Sequence, residues 1–266
     1  MKLSEILKRM LVERVCLICT EPVSYDKDAP FCPDCEEFWK EFLEIKCRQC
    51  GKDYKECICL PSKIRKINHS MASWCYFYDA ELNREMNMMF HYLKYQYDRA
   101  TINFCADSMK KSLGILFKKR GCSYNDYVVT FVPRSRKNIN KYGFDQSEKL
   151  AKALAKRLGI KCIRTFKNVG SGEQKKLNKK ERAYNAQKSY KYVEGSLKGY
   201  KKVILVDDIM TSGATLFACA FQLYSNGAIS VVPSAFAKDN YTIKGGRGNV
   251  KRSTKYNFTG AFKGFM

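Results

Sequence analysis

A chain of 266 residues with 45% hydrophobic side chains can bury a core in one or two domains, which excludes a disordered or fibrous polypeptide. No run of about 18 apolar residues occurs, so no membrane-spanning helix is expected. The formal net charge of +23 favours nucleic acid, phosphorylated ligands or anionic surfaces as partners, although lysine-rich composition alone also produces such a charge.

The charge is uneven along the chain. Residues 1 to 62 carry 10 Lys and Arg against 12 Asp and Glu, about −2, and the remaining 204 residues carry about +25. The first stretch, MKLSEILKRMLVER, mixes charge into its apolar pattern and has no small-residue cleavage site. It reads as a short amphipathic helix rather than a signal peptide. Thirteen cysteines without an export signal point to a reducing, cytoplasmic compartment.

Eight of those cysteines form four close pairs: Cys16 with Cys19, Cys32 with Cys35, Cys47 with Cys50, and Cys57 with Cys59. A CxxC turn aims two thiolates at one centre, and two turns complete a tetrahedral S4 site, so four pairs suit two Zn2+ ions. Sequential pairing puts Cys16, Cys19, Cys32 and Cys35 on one ion and Cys47, Cys50, Cys57 and Cys59 on the other. An interleaved cross-brace satisfies the same spacing. Four thiolates leave no open coordination position, so both sites read as structural. A segment this short and polar depends on the metal for much of its stability. Cys75, Cys105, Cys122, Cys162 and Cys219 sit in apolar surroundings and read as small core residues.

After Pro61 the pattern becomes alternating strand and helix. SWCYFY (73–78) reads as a strand, and 80–96 as a helix with Leu82, Met86, Met89, Phe90 and Leu93 on one face. A second helix follows over 100–119, then a buried strand over 126–133 ended by proline. The helix over 145–159 has Asp145 and Glu148 as a capping-box-like start and Gly159 as its stop. Strands are expected over 160–166, 201–208 and 228–237, with a helix over 213–227. This order predicts an α/β fold with a mainly parallel sheet flanked by helices. His69 and His91 are isolated in sequence and receive no catalytic role.

The stretch VILVDDIMTSGATL (203–216) carries the chemistry. In a doubly wound sheet, ligands bind beyond the carboxyl ends of the strands, where Asp207 and Asp208 are expected. The turn after them opens a helix whose backbone N–H groups form an anion cradle, with hydroxyls from Thr211, Ser212 and Thr215. Gly213 permits close backbone approach. A phosphate on Thr211, Ser212, Gly213, Ala214 and Thr215, with a diol or diol-bound Mg2+ on the aspartates, describes a ribose 5-phosphate. Neither GK[ST] nor GxGxxG is present, which excludes the common triphosphate and dinucleotide loops.

This stretch resembles the phosphoribosyl pyrophosphate signature of type I phosphoribosyltransferases, and nearly the whole chain is similar to the ComF family of competence-associated proteins. Besides the multi-CxxC head, three segments carry the likeness: YDAELNREMNMMFHYLKYQYD, VPRSRKNINKYGFDQSEKLAKALA and TFKNVGSGEQKKLNKKERAYNAQKSY. The resemblance implies a double zinc ribbon over 1–62, a phosphoribosyltransferase-like domain over 63–240 and a basic aromatic tail over 241–266. It implies that Asp207 and Asp208 hold ribose hydroxyls and Mg2+, and that Pro133, Arg134 and Ser135 face pyrophosphate. Gln174, Leu177, Arg182 and Asn185 would belong to a flexible loop that covers such sites. The family's RGFNQ segment stands here as Tyr142, Gly143, Phe144, Asp145 and Gln146, which exchanges a cation for an anion, and Lys141 is the candidate replacement.

Thr211 occupies a position where purine-salvage relatives that use an acidic base carry Asp. A hypoxanthine- or guanine-type acceptor is therefore disfavoured, and no residue is assigned as the general base. The resemblance further implies a role in DNA uptake on the inner side of the membrane. Its partners would be single-stranded DNA, a competence DNA-import helicase and a membrane channel. The alternative is a metabolic phosphoribosyltransferase with an unidentified acceptor. The segment 238–266 carries seven Lys and Arg against one acid, with interleaved Tyr and Phe, and reads equally as a single-strand-binding extension or a solvated tail.

Overall fold

The computed structural model describes residues 15–23, 30–67, 71–78, 93–95, 98–170 and 188–240. The expected N-terminal helix, His69, His91, the loop residues Gln174, Leu177, Arg182 and Asn185, and the tail from 241 lie outside these residues. Of the helix expected over 80–96, residues 93–95 are described and are helical.

Four strands form a parallel sheet: β1 (Tyr76–Tyr78), β2 (Tyr127–Phe131), β5 (Lys202–Met210) and β6 (Ser230–Asp239), in the order β1–β6–β5–β2. A separate antiparallel ribbon pairs β3 (Phe166–Asn168) with β4 (Tyr190–Tyr192). Val203 to Val206 at the centre of β5 are all fully buried. Ile204 and Val206 enter the core on one face of the sheet, and Val203 and Leu205 the core on the other. A strand covered on both sides reads as an unbroken apolar run, as this one does.

Helices α2 (Arg99–Lys119) and α4 (Gln146–Leu158) pack on the first face through Met109, Leu113, Phe117, Leu150 and Leu154. Helix α5 (Ala214–Ser225) covers the second with Leu216 and Leu223. Asp98 caps α2 by accepting from the backbone N–H groups of Ala100 and Thr101. Asp145 caps α4 through the N–H of Glu148, and left-handed Gly159 ends it. Only this half of the expected capping box forms, because the Glu148 carboxylate pairs with Lys152 and Arg164 instead.

The antiparallel ribbon was not expected, and two further elements differ from expectation. The strand expected over 160–166 shrinks to one bridge between Cys162 and Val129. Val129 there donates to Lys161 and accepts from Ile163, after which Arg164 swings to Glu148 and over the Phe131 ring. The chain leaves the sheet edge, and β3 begins at Phe166 in the ribbon. A short helix, α3 (Arg136–Tyr142), was not expected. Ser135 caps it through the Asn138 N–H, and Gly143 at φ 78° stops it, both ordinary helix-end signals.

The cysteine-rich head is built into this core. Helix α1 (Pro33–Leu43) starts with proline in its first turn and buries Cys35, Trp39 and Phe42. The Trp39 ring stacks on Phe236 at 6.1 Å and meets Tyr76 and Phe104 edge-on at 5.3 and 5.4 Å. Cys16, Cys19 and Cys35 belong to the core on the first face of the sheet, whereas Cys47 and Cys57 belong to the core on the second. The head therefore reaches both faces beside β1, the end strand of the sheet among the described residues. No helix among the described residues is long and apolar enough to cross a membrane.

Candidate functional site

The carboxyl ends of β2 and β5 open into a cavity of about 580 Å3. Asp207 and Asp208 line it from β5, and Pro133, Arg134 and Ser135 from the end of β2. Lys137 and Lys141 face it from α3, Gln146 and Ser147 from the start of α4, and Lys94 and Tyr95 from the described fragment at 93–95. Asn168, Gly170 and Tyr190 arrive from the ribbon. Four cations (Lys94, Arg134, Lys137 and Lys141) thus share one cavity with two carboxylates.

Asp145 holds the Arg134 loop in place. One carboxylate oxygen accepts from the Arg134 N–H at 2.9 Å while the other caps α4 at 3.2 Å. Burial raises the Asp145 pKa against the pull of these two N–H groups. The acid that departs from the resembled motif is thus a buried bracket beneath the loop. Arg134 donates to the Lys94 carbonyl at 2.6 Å, and its guanidinium lies 4.6 Å from the Tyr142 ring centre. Tyr142 in turn packs on Tyr95 at 4.8 Å. The loop is also tied from the ribbon, where Asn168 donates to the Pro133 carbonyl at 3.1 Å.

The aspartates are held by their own strand and by cavity donors. Asp207 accepts from the Asp208 N–H at 2.9 Å, and Asp208 from the Ile209 N–H at 2.7 Å. Lys94 Nζ stands 3.7 Å from Asp208, and the Gln146 amide donates to it at 3.5 Å. The Gln146 carbonyl oxygen is buried with no hydrogen-bond partner among the described residues, so the site has a spare acceptor for a hydroxyl donor. Burial, and after it the neighbouring Asp208 charge, pushes the Asp207 pKa well above the ordinary carboxylate value. In the folded state Asp207 therefore keeps its proton above the unfolded value of about 4. Stability conferred by that proton falls as pH rises toward the raised folded value, and a cation between the carboxylates opposes the loss.

Thr211, Ser212, Gly213, Ala214 and Thr215 follow at the end of β5 but do not line this cavity. Thr211 and Ser212 are exposed, Gly213 adopts φ 72° at the start of α5, and the Ser212 hydroxyl accepts from the Ala214 N–H at 3.4 Å. A Cβ on Gly213 would lie 2.4 Å from Ile64, so only glycine fits there. Lys94, Tyr95, Lys137, Asn138, Asn168 and Tyr190 were not singled out from sequence. Lys94 and Tyr95 sit inside the first of the three quoted segments, Lys137 and Asn138 inside the second, and Asn168 and Tyr190 inside the third, where ribbon pairing joins them.

The cysteines gather as two sequential sets, Cys16, Cys19, Cys32, Cys35 and Cys47, Cys50, Cys57, Cys59, whose sulfurs in each set lie within 4.8 Å of one another. Sulfur separations of 3.6 Å for Cys19–Cys32 and 3.7 Å for Cys50–Cys57 match the edge of about 3.8 Å that Zn–S bonds of about 2.3 Å require. A hydrogen bond from Cys35 draws the Cys16 thiol down to about 4, whereas burial pushes Cys19 up to about 12. The second set is more open, with Cys50 exposed and Cys59 half-buried.

No family model matches the chain, and no curated protein matches its sequence. Solved structures similar to parts of it include phosphoribosyltransferases. The Staphylococcus aureus hypoxanthine phosphoribosyltransferase is 15% identical over 53% of this chain and 70% of its own, with TM-score 0.32. A purine enzyme from Pyrococcus horikoshii is 16% identical over 53% of this chain and 75% of its own, with TM-score 0.30. An orotate enzyme from Aeropyrum pernix is 16% identical over 57% and 63%, with TM-score 0.30.

Proposed function

We propose that this chain is a ComF-like protein that binds phosphoribosyl pyrophosphate with Mg2+ and serves DNA uptake in contact with single-stranded DNA. The observation that carries the ligand reading is the cavity in which two carboxylates face Lys94, Arg134, Lys137 and Lys141. A vicinal diol or diol-bound Mg2+ suits Asp207 and Asp208, and a pyrophosphate suits the cations. The spare Gln146 acceptor suits a ribose hydroxyl. The 5-phosphate is assigned to the turn from Thr211 to Thr215, beyond the cavity. Two Zn2+ ions in the cysteine sets keep the head folded.

Binding is the primary reading, and no general base is assigned among the described residues that line the cavity. If transfer occurs, the bond from ribose C1 to pyrophosphate oxygen breaks as the bond from C1 to the acceptor nucleophile forms. Pyrophosphate then leaves with the electron pair, its charge balanced by the lining cations. This alternative makes the chain a metabolic phosphoribosyltransferase with an acceptor other than a hypoxanthine- or guanine-type base.

Calorimetry with phosphoribosyl pyrophosphate should give Mg2+-dependent binding in the wild type that is lost in Asp207→Asn/Asp208→Asn. Stabilisation of the wild type by Mg2+ should grow as pH rises, because ionised Asp207 is the form needing a counter-charge, which melting temperatures with and without Mg2+ across a pH series would read. Pyrophosphate release upon adding one base would establish the transferase. Binding without release, with bases or single-stranded DNA present, supports the binding protein. Absence of binding rejects both.

A further inference from the structure

The end of β6 and the turn after the last cysteine pair connect the second cysteine set to the proposed phosphate turn. Lys238, on β6, is only 3% exposed. Its ammonium lies 5.0 Å from the Trp74 ring centre and 5.1 Å from that of Phe77. Trp74 and Phe77 share a core cluster with Cys47, Cys57, Leu60 and Ile64. Burying an ammonium is costly without a compensating charge, and four thiolates around one divalent cation carry a net charge of −2.

Asn240 supplies a second tie. Its side chain accepts from the Arg48 N–H at 3.0 Å and donates to the Lys46 carbonyl at 3.1 Å, which clamps the backbone on both sides of Cys47. Its own N–H donates to the Tyr78 carbonyl at 2.8 Å. The cysteine loop is thereby fastened to β1 and β6. Lys238 is in register with Met210, the last residue of β5 before the turn.

The third tie approaches the turn from its other side. After Cys59 the chain forms a 3-10 turn over Ile64–Lys66, held by Arg65, whose Nε donates to the Leu60 carbonyl at 3.1 Å. Ile64 is fully buried and fills the space that a Cβ on Gly213 would need. Lys63 lies over the Phe217 ring of α5 at 5.7 Å. The phosphate turn is thus held between Met210, beside Lys238, and Ile64, which follows Cys59 by five residues.

We propose that Lys238, Asn240 and Ile64 couple the Cys47–Cys59 metal centre to the turn from Thr211 to Thr215, so that metal bound there and phosphate bound on the turn strengthen each other. The Cys16–Cys35 centre, packed in the other core, takes no part. The inference rests on the phosphate assignment made above. Coupling of binding energies is reciprocal, so an effect of metal on ligand can be read as an effect of ligand on metal.

Zinc release from the full chain to a chromogenic chelator provides the test, read with and without ribose 5-phosphate and Mg2+. Two phases are expected, the faster from the more open second centre. Cys50→Ser should remove the fast phase and Cys19→Ser the slow one. Ribose 5-phosphate should slow the fast phase by about fivefold or more and leave the slow phase unchanged. Lys238→Met should speed the fast phase about tenfold, as loss of an outer partner of a metal centre does, with Lys238→Arg restoring much of the retention. Ile64→Ala should leave ligand-free release near wild type and abolish the ligand's effect.

Ribose 5-phosphate that binds the wild type by calorimetry yet alters neither phase, or only the slow one, overturns the coupling while sparing the ligand reading. Failure of ribose 5-phosphate to bind the wild type removes the ligand assignment and the coupling with it. A fast phase unchanged in Lys238→Met rejects that residue's part.

Discussion

Gly213 and Gly143 are both left-handed, at φ 72° and 78°, yet they occupy different surroundings. A Cβ at Gly143 meets nothing within 4 Å, whereas at Gly213 it strikes Ile64. Gly143→Ala should cost about 1–2 kcal/mol, the penalty for placing an L side chain in the left-handed region. Gly213→Ala carries that penalty and the displacement of Ile64 as well. Its loss of stability in urea denaturation should clearly exceed that of Gly143→Ala, and equal losses would show that Ile64 moves aside freely. At the same scale, Asp145 shows how one substitution in a recognisable motif can be structural. Its two oxygens are occupied by the Arg134 and Glu148 N–H groups, so its charge points beneath the loop rather than at a ligand.

Helix α1 illustrates what elements contribute beyond their own periodicity. Its register places Trp39 against Phe236, Tyr76 and Phe104, so the cysteine-rich head and the sheet share one aromatic core. Residues before and after position 62 lie together in both core clusters. Trp39→Ala should therefore destabilise the protein by about 3–5 kcal/mol, the usual range for emptying a buried aromatic site. Far-UV circular dichroism, which reports the sheet and helices, should lose its signal in one earlier transition together with metal release. An unchanged sheet transition preceded by a separate loss of the head would show two independently stable parts. The elements legible in sequence were those with strong internal signals: the apolar run of β5, the Asp145-to-Gly159 helix and the helix after Asp98. The strand expected over 160–166 shortened because Arg164 found Glu148, a partner brought close only by the packing of α4.

Across the whole molecule, the positive charge is concentrated after residue 62, and residues 241–266 contain six Lys and Arg and no acid. On the proposed single-strand contact, each lysine or arginine that neutralises a phosphate adds to the salt dependence of binding. Deleting residues 241–266 should weaken binding of a single-stranded oligonucleotide and flatten the plot of log affinity against log salt. An unchanged slope would place the nucleic-acid contact elsewhere or remove it. Binding of phosphoribosyl pyrophosphate should survive the deletion, because the described residues that line the cavity all precede position 241.

The sequence by itself determined the local features: the paired cysteines, the parallel-sheet alternation, the acidic end of β5 and the small-residue turn after it. These depend on spacing of two to four residues or on strand and helix periods, which a single chain displays directly. Tertiary structure decided which distant residues meet. It brought Lys94 and Asn168 into the cavity of the aspartates and grouped the eight cysteines into sequential sets on opposite faces of one sheet. It also set Ile64 against Gly213 and buried Lys238 between aromatic rings. Such contacts arise from packing between elements far apart in the chain, for which no local pattern of residues carries a signal.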